Sequence, residues 1–276
     1  MLATATPPKT LPEWVKLSPE IAIAATPDCV WVCHPDSVSN EDSTPLPVEH
    51  WQQVAITQKL LDTSIVLAKR AVSSPPKIPV LTPVHWVWQL ADQYHTSHPV
   101  PGLMQEAAER FAVAGRKSLA EWATHKAVEE EGHDRLALLD IQALGYEAKA
   151  VVETLVPPSA TALVDYFTRS IQTPDPIGCV GYTYTLERLA TAISAKHVQA
   201  VEAQLPPDVR ATRFLRVHSS IGSDAEHVDE NIELVATLTP EERNQVAIAC
   251  YETALLYLRP SQPPSDEELC QLLSST

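Results

Sequence analysis

The chain has 276 residues, 45% of them apolar, which is ordinary for a globular protein and enough for a large core. A formal net charge of −15 works against electrostatic binding to DNA, RNA or anionic lipid. No apolar run has the length of a membrane span, since the stretch up to Leu258 is short and interrupted by Glu252, and the N-terminus lacks a basic-then-apolar leader.

In chain order, the first 45 residues are rich in Pro, Thr and Ser with little periodicity, and read as an irregular lead segment. Cys29 and Cys33, followed by His34, have three residues between them rather than two and no second pair, so they read as ordinary thiols rather than a metal knuckle. With Cys179, Cys250 and Cys270 they make an odd, scattered set that suits a reduced, cytoplasmic setting. Seven glycines against 24 prolines then favour long helices punctuated by proline over strands joined by tight turns.

Helical spacing of Val54, Leu60, Leu61, Ile65 and Leu67 predicts a first helix over 47–72, stopped by Pro75 and Pro76. A second is expected over 83–94. The longest pattern runs from Leu103 to Leu144, as one helix or two with a bend near Gly115. Further helices are expected at 146–155, 160–171, 177–204, 207–219, 223–238 and 241–258. Thr239-Pro240-Glu241-Glu242 is a clear helix start, with an N-cap, a proline at the first position and acids in the first turn. The reading is all-α: residues 46–262 form one bundle of about seven to nine helices, and 263–276 form a C-terminal tail.

Helical bundles hold iron by pointing carboxylates and imidazoles inward, often as an acid and a histidine one turn apart. Asp92/His95, Glu130/His133 and Asp224/His227 have that spacing. Chance would place about one such pair among 35 acids and ten histidines, so three is a mild excess. Glu130/His133 sits near the edge of an apolar face through Val128, Leu136, Leu139 and Ala143, where a solvated acidic stripe is the competing reading. Glu187 stands beside Arg188 in an otherwise apolar helix and needs a partner if buried, either a metal or a basic side chain. His218 precedes Asp224 by six residues and shares its face only if the helix breaks, as Gly222 allows. Asp92/His95, with nearby His98, precedes Pro99 at an expected helix end and is the weaker pair.

The combination resembles the haem-oxygenase-like non-haem diiron oxidases, relatives of the TenA and PqqC folds. Three segments carry the likeness: the Glu-Glu-Glu-Gly-His133 run closing at Gly145, Glu187 on the next core helix, and Asp224-Ala-Glu-His227. The resemblance covers about residues 100–260 and implies a haem-oxygenase-like bundle with Glu130, His133, Glu187, Asp224 and His227 as ligands. It departs from the pattern at Ser220, where the family's closing motif has its first histidine; His218 lies two residues early. If a bulge brings His218 in, two Fe(II) ions are expected; otherwise one or none. Carboxylate and imidazole ligands suit Fe(II) or Mn(II), with O₂ as co-substrate. The implied reaction is oxidation of a small organic molecule, amino-acid- or fatty-acid-derived, with an external electron donor, and family analogy suggests a homodimer. Tyr182, Tyr184, Trp86 and Trp88 are the candidate pocket aromatics.

Three rival readings use the same residues. A metal-free enzyme similar to TenA or PqqC needs a nucleophilic cysteine, for which Cys179 and Cys250 are the core candidates. A non-catalytic partner-binding or iron-buffering helical protein needs no cavity beside Glu187. A ferritin-like site needs a further Glu from another helix.

Overall fold

The computed structural model describes residues 12–35, 48–72, 81–221, 224–259 and 263–274, without the side chains of 224–226. The expected stop at Pro75-Pro76 and the break at Gly222 lie outside the described residues. Helices dominate: α1 (His50–Ala71), α2 (Pro83–Ser97), α3 (Val100–Val113), α4 (Lys117–Glu129), α5 (His133–Ala143), α6 (Ala148–Thr154) and α7 (Pro158–Gln172) come first. They are followed by α8 (Gly178–Ala190), α9 (Ala195–Glu202), α10 (Arg213–Val217), α11 (Asp224–Ala236), α12 (Pro240–Leu258) and α13 (Asp266–Ser274). These exceed the expected seven to nine because two long patterns are cut. The 103–144 stretch becomes three helices, broken at Gly115 and Gly132, both with positive φ. The 177–204 stretch is cut between Ala190 and Ala195, where Ser194 caps a new helix.

The lead segment is not irregular throughout. β1 (Glu13–Lys16), β2 (Ala22–Ala25) and β3 (Val30–Cys33) form an antiparallel sheet in that order. Glu13 pairs with Ala25 across the first ladder and Ala22 with Cys33 across the second. β2 is buried along its whole length, so it has no polar–apolar alternation to betray a strand. Glu13 pins the sheet to the bundle, receiving Arg243 Nε at 2.6 Å and Gln53 Nε2 at 2.9 Å. The C-terminal tail is likewise structured: α13 buries Leu269 and Leu273 against α2 and α6.

α8 is the axis of the molecule. It packs against α12 and α11, and its buried residues run around the whole helix, as expected of a central one. The approach to α12 is close at Gly181, where a side-chain carbon would overlap the Val246 carbonyl oxygen. α12 begins as its sequence predicts, with Thr239 and Glu242 forming a capping box around Pro240. Between α2, α4, α7, α8, α10 and the end of α12 lies a cavity of about 470 Å³. No helix among the described residues is long and apolar enough to cross a membrane.

Candidate metal centre and its cavity

Glu130 and His133 are not on one continuous helix. Glu130 is the C-cap of α4, Gly132 turns the chain at φ 87°, and His133 opens α5. The two side chains still meet, with His133 Nδ1 at 2.9 Å from Glu130 Oε2. His218 closes α10 with a non-helical ψ of 66° and brings its ring edge-on to His133, centroids 4.7 Å apart. A break before α11 thus does for His218 what a continuous helix cannot. One donor atom each from Glu130, His133 and His218 falls within 4.8 Å of the others. Burial pushes the Glu130 carboxyl up, but the His133 hydrogen bond and the charges of His218 and His133 outweigh it and hold the group below 4.5.

The other expected ligands form a second group. Glu187 is 6% exposed, and its Oε2 accepts from Asn231 Nδ2 at 2.6 Å. The Asn231 orientation is fixed by Trp122, whose indole can only donate and gives its N–H to Asn231 Oδ1 at 2.8 Å. Glu187 Oε1 faces Lys126 Nζ at 3.1 Å and His227 Nδ1 at 4.0 Å. Lys126 is only 1% exposed and also meets Glu129 Oε2 at 2.8 Å. Glu129 Oε1 completes the group, 3.1 Å from His227 Nε2. Burial works against the Lys126 ammonium, yet the charge of Glu187 and the hydrogen bond and charge of Glu129 raise its pKa above 10.5. Asp224 begins α11, and its side chain lies outside the described residues.

The two groups are neighbours: Glu130, His218, Lys126 and Glu187 all line the cavity. Trp86, Trp88 and Tyr182 line it too. Tyr182 lies flat on Phe167, centroids 3.9 Å apart, and among the described residues nothing hydrogen-bonds its buried Oη. Tyr184 does not join them. Its hydroxyl donates to Asp62 Oδ1 at 2.8 Å beside Arg188, on the side of α8 facing α1. The Asp92/His95 pair separates: Asp92 accepts from Ser159, while His95 Nε2 sits at 2.9 Å from the Val152 carbonyl at the end of α6. His98 pairs with Asp134.

Lys126, Glu129 and Asn231 escaped sequence reasoning. Lys126 lies four residues before Glu130, hence on its face, which was the signal available. Cys179 and Cys250 are fully buried and absent from the cavity wall; burial pushes the Cys250 thiol up to about 12 and Cys179 higher. Neither thiol is placed to act as a nucleophile.

The donor set at Glu130, His133 and His218 fits a divalent first-row metal: one carboxylate and two imidazoles, from three elements, at a cavity edge. The group around Glu187 differs in that an ammonium bridges its carboxylates.

A family model described as an iron-containing redox enzyme matches residues 87–258. Among solved structures, the chain is similar to a domain of unknown function with a heme oxygenase-like fold from Shewanella denitrificans OS217. The two are 19% identical with a TM-score of 0.58, covering 83% of this chain and 94% of that one. It is also similar to a TenA homolog from Pseudomonas syringae pv. tomato DC3000, at 15% identity and a TM-score of 0.54, covering 83% of this chain and all of the other. No curated protein matches. At such identities the structural likeness establishes the haem-oxygenase-like fold and nothing finer.

Proposed function

The chain belongs to the iron-containing redox enzyme family, and we propose that it is a non-haem iron enzyme that uses O₂ to oxidise a small, largely apolar organic acid. The observation that carries this reading is the convergence of Glu130, His133 and His218 beside a largely apolar cavity whose wall includes Glu130 and His218. Iron bound there would supply the redox chemistry and the site of O₂ activation.

The protein's own contribution is placement. Glu130 and the two imidazoles give the centre one formal negative charge and an oxygen–nitrogen donor set without thiolate, the kind taken by non-haem Fe(II). Trp86, Met104, Leu163 and Leu256 provide an apolar wall that excludes water and takes the body of a substrate. Tyr182 Oη has no hydrogen-bond partner among the described residues and is placed to donate to a polar group of the substrate. Arg259, exposed at the rim, offers a cation for a carboxylate. An acyl chain with a terminal carboxylate fits this division of apolar wall and basic rim better than a free amino acid, and this favours the fatty-acid-derived substrates. The external electron donor and a homodimer remain part of the proposal as the family likeness implies them.

The buried state of Cys179 and Cys250 argues against the metal-free, thiol-dependent reading, and the cavity beside Glu187 argues against a purely binding or iron-buffering role. The test is O₂ uptake after anaerobic reconstitution with Fe(II), measured with medium-chain carboxylic acids and with amino acids, for wild type and His218→Ala. Uptake stimulated by an acyl carboxylate in wild type and abolished in the variant is expected. Iron-loaded wild type whose O₂ uptake no organic acid stimulates would overturn the reading.

A further inference from the structure

We infer that Lys126 takes the place of a second metal ion, so that this chain holds one metal per subunit, at Glu130, His133 and His218, rather than a pair. The inference rests on the proposed iron site and concerns the neighbouring group of Glu129, Glu187 and His227.

Those three residues are of metal-ligating types, two carboxylates and an imidazole, but with the ammonium of Lys126 among them their donor atoms do not all close to within 4.8 Å of one another, as those of Glu130, His133 and His218 do. Lys126 Nζ is 2.8 Å from Glu129 Oε2 and 3.1 Å from Glu187 Oε1. At 1% exposed, the side chain holds its charge inside the protein, between α4 and the Glu187 carboxylate of α8. A divalent ion placed between the same oxygens would stand within a few ångströms of a fixed positive charge, in surroundings too dry to screen it. The remaining contacts also favour the lysine. Glu187 Oε2 is taken by Asn231, which Trp122 locks in orientation, and Oε1 faces Lys126. Glu129 Oε1 is likewise held by His227 Nε2.

The placement has a simple origin in sequence. Lys126, Glu129 and Glu130 occupy the last turn of α4, so one helix end delivers a carboxylate to the metal centre and an ammonium–carboxylate pair to its neighbour. The lysine therefore neutralises Glu187 permanently, where a second ion would do so reversibly and would bring open coordination positions. This also accounts for Glu187, the isolated acid of α8, as the partner of a basic side chain rather than as a ligand.

The test is metal content and Mn(II) electron paramagnetic resonance on full-length protein, for wild type, Lys126→Met and Lys126→Arg. Wild type should bind about one ion per chain, with an uncoupled six-line Mn(II) spectrum, and Lys126→Arg should do the same. Lys126→Met has similar length without the charge, and should gain a second, weaker site, approaching two ions per chain with a coupled spectrum. Its melting temperature should then rise on adding Mn(II) by more than that of the wild type, which also checks that it folds. Two ions in the wild type would overturn the inference while leaving the iron reading standing. A Lys126→Met protein that still binds one ion would show that the ammonium is not what excludes the second. No ion in the wild type would overturn the iron reading and this inference with it.

Discussion

The imidazole of His218 stands edge-on against that of His133, ring centroids 4.7 Å apart, although one residue closes α10 and the other opens α5. The fastener between those helices is Asp140. This fully buried α5 residue accepts the backbone N–H of Phe214 at 3.0 Å and Arg213 Nη1 at 2.9 Å, at the start of α10. Phe214 in turn packs its ring against His218. The second histidine of the centre is therefore held through a carboxylate that touches no metal donor.

Replacing Asp140 should loosen the metal centre as well as the fold. Asp140→Ala strands a buried N–H and half of an ion pair whose arginine is partly exposed, at a cost of about 2–3 kcal/mol. Displacement of α10 should weaken Mn(II) binding by roughly 10–100-fold, the range seen when an orienting partner is lost. Denaturant titration and metal titration on the same sample separate the effects. Unchanged affinity alongside reduced stability would show that Asp140 does not position His218.

Gly132 should be sensitive for a backbone reason alone. At φ 87° it is left-handed, and an added Cβ meets nothing closer than Arg135 Cδ at 4.0 Å. Gly132→Ala should therefore cost about 1–2 kcal/mol from conformation, with Gly132→Asn milder. Because Gly132 sets the turn between Glu130 and His133, metal affinity should fall in the same order, less for Gly132→Asn than for Gly132→Ala. A melting curve with and without Mn(II) reads both quantities.

The residues of the centre were legible where chemistry is local and lost where it depends on breaks in the chain. Glu130/His133 was visible as an acid and a histidine three apart, but the same spacing marked Asp92/His95, which the fold uses for a hydroxyl contact and a helix-end cap. His218 could be recruited only through a break before α11; the expected break after 219 allowed this, but helix spacing alone says nothing of where the ring of a helix-end residue turns. Lys126 was overlooked because a lysine in an acidic helix ordinarily reaches water, whereas α4 ends by burying it against α8. The sheet escaped for a similar reason: its strands are four residues long, and the central one is apolar on both faces. Helices with ordinary caps, such as α12, were read to within a residue or two.

Gly181 should not tolerate a methyl group. Its φ is unexceptional, and alanine is the better helix former by about 1 kcal/mol, so in isolation Gly181→Ala would stabilise α8. Here the new Cβ would overlap the Val246 carbonyl and lie 2.7 Å from Ala249 Cβ, so α8 and α12 must separate. Net destabilisation of about 1–3 kcal/mol is expected from overpacking. Tyr182, next in sequence and stacked on Phe167, should shift with it, and near-ultraviolet circular dichroism reports that movement.

Acid should release α10 through Glu202. Its carboxylate accepts Thr212 Oγ1 at 2.6 Å and Arg216 Nη2 at 2.6 Å, tying α9 to the helix that carries His218. The Thr212 hydrogen bond, followed by the Arg216 contacts, holds its pKa below the ordinary 4.5. A depressed folded-state pKa means that the stabilisation is fully present above the unfolded value and is lost as pH falls through the folded one. The stability difference between wild type and Glu202→Gln should therefore be constant near neutrality and shrink from about pH 4.5 downward. The group is partly exposed, so the difference should also be smaller at high salt. Denaturant midpoints for the two proteins across that range decide the matter: a constant offset down to the lowest pH would mean that the carboxylate charge contributes nothing to holding α10.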